Sequence, residues 1–218
     1  MPLNPTFNSI VTKINSVVKS KQLSYLHDSV LSQKLFGIES NFVEENPLLV
    51  REYHEGDSFN RNTEIKIFTN DKGGKAGRAK WYITKRDVIK SGNQYLDKWK
   101  VVVSSANAGG QKRSNQIAIL DNLSAFGRAR VALKTFETQK EAENFYKYAN
   151  TFLIRFAFLL TDESLTSVAK RVPDLLNYTD DNGIIDFNGK VDSQLYELFK
   201  INNIEKGFIE ETIMKKGY

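Results

Sequence analysis

Residues 64–84 read EIKIFTNDKGGKAGRAKWYIT and set the fold class of this chain. The two ends, EIKIF and KWYIT, are rich in β-branched and aromatic side chains, which favour strands. The segment between them carries glycine, asparagine, aspartate and lysine, a composition typical of a loop. This stretch therefore predicts two β-strands separated by a glycine-rich, basic loop.

The strand pattern continues further along the chain. We predict strands over Lys98–Ser105, Gln116–Leu120 and Val131–Phe136, with loops that carry glycine, asparagine or aspartate between most of them. The loop SANAGGQKRSNQ, residues 105–116, again concentrates glycine and charge. The middle of the chain is therefore predicted to be β-rich.

Apolar residues at helical spacing lie on both sides of this β-rich middle. Phe7–Val18 predicts an amphipathic helix, and Tyr25–Leu35 predicts a second, short helix that stops at Gly37. Thr138 and Glu141 form the pattern of a capping box, which predicts that the chain becomes helical from this point.

The C-terminal residues predict further helices and complete the fold class. Asp192 is predicted to cap a short helix that runs through Phe199, and a last helix is predicted over about Asn203–Lys215. The fold is therefore predicted to be α+β, with a central twisted, mainly antiparallel sheet, N-terminal helices and a C-terminal helical region. We expect one compact domain made of an N-terminal helical segment (1–50), a basic β-rich recognition region (51–137) and a C-terminal helical region (138–218).

Charge is distributed unevenly along the chain. From Arg61 to Arg130 there are 15 Lys and Arg residues against 5 Asp and Glu, whereas the remaining residues hold 16 basic and 21 acidic ones. The net charge of +5 hides this division. A basic region between acidic flanks is typical of a protein that binds a polyanion, and nucleic acid is the first candidate.

Composition excludes several classes of site. The chain has no cysteine, which excludes disulfides, thiolate zinc sites and a cysteine nucleophile. Two isolated histidines, His27 and His54, cannot form a metal site without carboxylate ligands. The N-terminus lacks the basic start and apolar run of a signal peptide, and no apolar string is long enough to span a bilayer. We therefore expect a cytoplasmic protein with no membrane partner.

Cations in and near the glycine-rich loops are the candidates for contact with DNA phosphates. Glycine lets the backbone approach a phosphate closely, and lysine or arginine neutralises its charge. Neither loop matches a nucleotide-binding pattern. The candidates are Lys72, Lys75, Arg78, Lys80, Lys85 and Arg86, with Arg128 and Arg130 as secondary candidates.

The loop Ser104–Gln116 is the candidate for reading base edges. Arginine pairs well with guanine, and asparagine or glutamine pairs well with adenine. This loop supplies Asn107, Gln111, Lys112, Arg113 and Asn115. The aromatic residues Trp81, Tyr82, Tyr95 and Trp99 have two open roles, stacking on an unpaired base or core packing, and we favour core packing.

Two alternative functions remain open. Asp57, Glu64 and Lys66 resemble the acidic pair plus lysine with which many nucleases hold magnesium and polarise water. The other explanation is a strand in which Glu64 and Lys66 face outward and Ile65 and Ile67 face inward, and we favour it. The other alternative is a protein-interaction domain whose basic face binds an acidic partner.

Four segments carry a resemblance to a known family. They are FGIESNF (36–42), YLDKWKVVVSSANAGG (95–110), TFETQKEAENFYKYANTFLIRFAFLL (135–160), and VPDLLNYTD (172–180) followed by DSQLYELFKINNIEKGFIEETI (192–213). Their order and spacing resemble the target-recognition domain of N6-adenine DNA methyltransferases from restriction–modification systems, including bifunctional type II enzymes.

The resemblance implies sequence-specific binding of duplex DNA without catalysis by this chain. The family's catalytic domains use an Asn/Asp-Pro-Pro-aromatic motif and a glycine loop for S-adenosylmethionine. This chain has no Pro-Pro, since its prolines stand singly at positions 2, 5, 47 and 173, and it lacks that glycine loop. We therefore expect S-adenosylmethionine only in a separate catalytic domain, which is either part of a longer polypeptide or another subunit.

Overall fold

Helices and mainly antiparallel strands both contribute to the fold, which confirms the predicted α+β class. The computed structural model describes residues 4–74, 76–105, 117–160, 169–181 and 183–215. The helices there are α1 (Pro5–Ser20), α2 (Phe42–Glu45), α3 (Gln139–Ala149), α4 (Phe152–Leu159), α5 (Val191–Leu198) and α6 (Asn203–Lys215). The strands are β1 (Ser24–Tyr25), β2 (Val50–Glu52), β3 (Glu64–Asn70), β4 (Ala79–Lys85), β5 (Trp99–Ser104), β6 (Ile117–Leu120), β7 (Ser124–Phe126), β8 (Arg130–Phe136) and β9 (Pro173–Asp174).

The strands are divided among three sheets instead of forming one central sheet. A four-stranded sheet has the order β2-β4-β3-β7, a three-stranded sheet has the order β6-β5-β8, and β1 pairs with β9. Among the described strands, only β3 and β7 pair in parallel. All the strands predicted from the sequence are present, whereas the short strands β1, β2, β7 and β9 were not predicted.

The three-stranded sheet is buried on both faces. Val101 and Val103 of β5 belong to a large apolar cluster that contains the buried faces of α1 and of α3 to α6. Val102, which points the other way, belongs to a second cluster with Ile65 and Ile67 of β3. The molecule is therefore layered as helices, three-stranded sheet and four-stranded sheet, and the larger cluster draws residues from all three predicted segments.

Local capping explains where two predicted helices begin. The side chain of Asn4 accepts a hydrogen bond of 2.9 Å from the backbone N–H of Thr6, and Pro5 occupies the first turn of α1. Thr138 and Glu141 form the predicted capping box at the start of α3. Both ends are thus encoded by residues within one turn of the helix.

Two predictions about the helices are wrong. The segment predicted as a helix over Tyr25–Leu35 forms only a 3-10 turn, Leu26–Ser29, because its backbone bonds to distant strands: Leu26 N–H donates to Val172 O and Leu31 N–H donates to Ala132 O, both at 2.8 Å.

Asp192 does not cap α5, which begins after Lys190. Its carboxylate instead accepts a hydrogen bond of 2.7 Å from the backbone N–H of Phe152, at the start of α4. Burial raises the pKa of Asp192, and this hydrogen bond opposes that rise. No helix within the described ranges is both long and apolar enough to cross a lipid bilayer.

Candidate nucleic-acid interface

The two glycine-rich loops are anchored at the same end of the molecule. The β3–β4 loop, residues 71–78, joins β3 to β4. The second loop contains segment 106–116, between Ser105 and the start of β6. Gly127 N–H donates to Phe68 O at 3.0 Å, and Ser105 N–H donates to Ala129 O at 2.9 Å, so residues 127–129 connect the two anchors. We call this end of the molecule the loop end. Five of the described cationic candidates lie there: Lys72, Arg78, Lys80, Arg128 and Arg130.

Hydrogen bonds close the base of the β3–β4 loop. Asp71 N–H donates to Arg78 O at 2.9 Å, and Arg78 N–H donates to the carboxylate of Asp71 at 2.8 Å. This second hydrogen bond is the largest cause that lowers the pKa of Asp71. Only glycine fits at position 77, because a Cβ atom there would lie 2.2 Å from the carbonyl oxygen of Lys72. Lys72 and Arg78 are exposed beside this closed base.

Two arginines reach the loop end from the connection between β7 and β8. The guanidinium of Arg130 lies 4.9 Å from the ring centroid of Phe68, and burial lowers its pKa. Arg128 is more exposed, and its guanidinium donates to Glu39 at 2.6 Å. Arg130 is thus largely held by the fold, whereas Arg128 is a surface cation with a carboxylate partner.

Carboxylates from residues 39–52 also reach the loop end. Besides the pair of Glu39 with Arg128, Glu44 accepts a hydrogen bond of 3.1 Å from the backbone N–H of Gly73, and Glu52 lies 3.1 Å from Lys80. The hydrogen bond to Glu52 is the largest cause that raises the pKa of Lys80. These acidic partners were not predicted, because they come from chain positions 28 to 89 residues away and no local pattern marks them.

The remaining phosphate-binding candidates do not join the loop end. Lys85 and Arg86 follow the opposite end of β4, about 20 Å away at a rise of roughly 3.3 Å per residue. Arg86 pairs there with Asp97 at 3.0 Å. The candidates Lys75, Asn107, Gln111, Lys112, Arg113 and Asn115 lie outside the described residues.

One cation of the basic region is in the core. Lys100 has no exposed surface, and its ammonium donates to the carbonyl oxygens of Leu96 at 2.9 Å and Lys98 at 2.6 Å. Burial lowers its pKa to about 7. Of the aromatic candidates, Tyr82 is buried, whereas Trp81, Tyr95 and Trp99 are partly exposed.

The residues of the nuclease alternative have separate partners. Asp57 accepts a hydrogen bond of 2.9 Å from the backbone N–H of His54, and Glu64 accepts one of 2.7 Å from the backbone N–H of Asn60. Lys66 pairs with Asp121. Burial alone would raise the pKa of Asp121, but the hydrogen bonds that its carboxylate accepts hold the pKa below its usual range. In the part of the chain that the structure describes, no group of three or more acidic or histidine side chains is arranged to hold a metal ion.

Three comparisons with known proteins found no match. No protein-family model matches the sequence, no curated protein matches it, and no solved structure matches the fold.

Proposed function

We propose that this protein binds duplex DNA through its loop end and recognises a specific base sequence there. The observation that carries the proposal is that the described residues which flank the two glycine-rich, basic loops are linked through residues 127–129, although they are distant in the sequence. Lys72 and Arg78 then contact phosphates, while segment 106–116, with Arg113 and Asn115, reads base edges.

The proposed setting is a restriction–modification system in the cytoplasm. In that setting the chain acts as the target-recognition domain of an N6-adenine DNA methyltransferase and selects the site that a catalytic domain, in the same polypeptide or in another subunit, modifies. The motifs for catalysis and for S-adenosylmethionine would belong to that other domain. The support for this setting is the ordered resemblance of the four sequence segments.

Charge reversal at the two ends of β4 tests where DNA binds. The double variant Lys72→Glu/Arg78→Glu is expected to weaken binding to duplex DNA roughly a hundredfold, because two phosphate contacts become repulsive. The slope of log K against log salt concentration is expected to become shallower by about 2. Fluorescence anisotropy titrations of a labelled duplex at several salt concentrations measure both quantities.

The matched control is Lys85→Glu/Arg86→Glu, which makes the same change in charge at the opposite end of β4. It is expected to lose far less affinity, and thermal melting of both variants checks that the fold is intact. Equal losses in the two variants would show general polyanion attraction instead of binding at the loop end. Equal affinity for heparin and for every duplex sequence would favour the protein-interaction alternative.

A further inference from the structure

Both tryptophans of the chain line one open cleft. Trp81 comes from the four-stranded sheet and Trp99 from the three-stranded sheet. The third wall is α3, which contributes Gln139 and Glu143. The cleft has a volume of about 340 Å³, within the range of about 300–1,000 Å³ that is usual for small-molecule sites. Lys66, Ile119 and Asp121 complete its lining.

The indole of Trp81 is held in place by its neighbours. Its ring centroid lies 5.0 Å from that of Phe68, and the ammonium of Lys66 lies 5.4 Å from the ring. The same ammonium pairs with Asp121 and lies 5.3 Å from the ring of Tyr53. The indole of Trp81 is thus preorganised, and a ligand that packs against it does not have to order this side chain.

The charges in the cleft disfavour an anionic ligand. Lys66 is paired with Asp121, so Glu143, which has no cationic partner within 4 Å among the described residues, leaves the lining with a net negative charge. The ammonium of Lys66 already occupies the cation–π position over the ring of Trp81. A neutral planar ring avoids the repulsion by Glu143 and gains contact with the indoles.

The polar groups of the cleft specify what the edge of that ring must carry. The side-chain amide of Gln139 donates to one carboxylate oxygen of Glu143 at 2.7 Å. The amide oxygen of Gln139 and the second carboxylate oxygen of Glu143 accept no hydrogen bond from the described residues, so two acceptors remain on residues that line the cleft. Acceptors of this kind pair with amino groups on a ring edge, as a carboxylate does with the amino group of cytosine.

We propose that this cleft binds a nucleobase that carries an exocyclic amino group: adenine, cytosine or guanine. The ring packs against the indoles of Trp81 and Trp99, and the amino group donates to Gln139 and Glu143. The lining of the cleft includes none of the five loop-end cations, although Trp81 directly follows Lys80, and the proposal does not rest on duplex binding at the loop end.

Tryptophan fluorescence tests the proposal directly, because the only two indoles of the chain line the cleft. Adenosine and cytidine are expected to change the emission saturably, and thymidine is expected to bind at least tenfold more weakly since it lacks an amino group. Ribose 5-phosphate, which has no base, is expected to cause no change. The variants Trp81→Phe and Trp99→Phe, each with one remaining indole, are both expected to respond.

Variants on α3 separate binding from collisional quenching. Glu143→Ala is expected to weaken the adenosine response at least tenfold, whereas Lys140→Ala, on the same helix but outside the cleft lining, is expected to leave it unchanged. Ligand-observed NMR with the unaltered protein gives the same ranking of nucleosides without any substitution. A linear, unsaturable response that Glu143→Ala does not alter would overturn the proposal, as would saturation by an alkylguanidinium salt and not by nucleosides.

The source of the base is decided by comparing ligands. A duplex with one bulged adenine is compared with the same duplex fully paired and with free adenosine. A response to the bulged duplex identifies an unpaired base of DNA as the ligand, and a response to adenosine alone identifies a free nucleoside. If Lys72→Glu/Arg78→Glu abolishes duplex binding but leaves the adenosine response intact, the loop end and the cleft are independent sites.

Discussion

The protein is expected to gain stability relative to a Lys100→Met variant as the pH rises from about 7 to about 10. Lys100 of β5 is fully buried, and burial lowers its pKa from 10.5 to about 7. Between these two pH values the unfolded chain still holds a proton that the folded protein has released. The free energy of unfolding therefore rises with pH by up to about 1.4 kcal/mol per unit in the original protein.

Methionine has no group that titrates, so the variant lacks this dependence. The difference in unfolding free energy between the two proteins is expected to change by on the order of 4 kcal/mol between pH 7 and pH 10. Below pH 7 the difference is expected to stay constant, because Lys100 is protonated in both the folded and the unfolded protein. The variant should be the more stable protein at neutral pH, because it no longer buries a partly charged amine. Urea unfolding at several pH values measures the difference.

The control for this experiment is Val102→Ala, on the same strand. Its side chain is also fully buried, and its loss is expected to cost about 1–3 kcal/mol at every pH, since only packing changes. Parallel pH profiles for the original protein and Lys100→Met would show that the amine does not change its protonation on folding.

The variant Asp174→Ala is expected to lose about 3–5 kcal/mol of stability, as buried ion pairs do when one partner is removed. Asp174 is 2% exposed and accepts hydrogen bonds from Lys134 at 2.5 Å, and from the hydroxyl of Tyr178 and the backbone N–H of Leu176, both at 2.9 Å. Without the carboxylate, the ammonium of Lys134, whose side chain is 17% exposed, has no counter-charge at this site. Urea unfolding and thermal melting measure the loss.

A second substitution tests whether the uncompensated charge is the cause. Asp174→Ala/Lys134→Met is expected to be at least about 2 kcal/mol more stable than Asp174→Ala alone, since it removes the buried cation as well. Glu211→Ala, which breaks an exposed pair with Lys215 on α6, is expected to have little effect. A double variant as unstable as Asp174→Ala would mean that lost hydrogen bonds, and not the charge of Lys134, account for the loss.

The sequence predicted the features that depend on neighbouring residues. The β-branched and aromatic composition of β3 and β4 and the capping box at Thr138 and Glu141 each lie within a few positions, so they are visible in the sequence. The partner of Asp192 is the backbone of Phe152, 40 residues away, and the cap that its position predicts does not form. Local sequence patterns therefore fail to predict the role of a side chain that forms a hydrogen bond with a distant part of the chain.

The same distinction applies to the candidate interface. Loop composition predicted which segments are basic, but only the parallel pairing of β3 with β7 brings the anchors of both loops together. The burial of Lys100 did have a signal, because it alternates with Val102 in a strand whose apolar residues occupy both faces. A count of charges along the chain does not show that Lys100 is buried. Nor does it show that the carboxylates of Glu39 and Glu52 lie beside cations of the loop end.

The contact between α1 and α6 has a consequence for the order of events during synthesis. Glu205 accepts hydrogen bonds from Ser9 at 2.7 Å and from Lys13 at 2.6 Å, and Ser9 is separated from it by 196 residues. At about 5–20 residues per second, a ribosome adds these residues in roughly 10–40 s. During that interval α1 can pack against α4, through Phe7 and Phe156, but not against α6. The packing of the first helix is therefore completed only after almost 200 further residues have been synthesised.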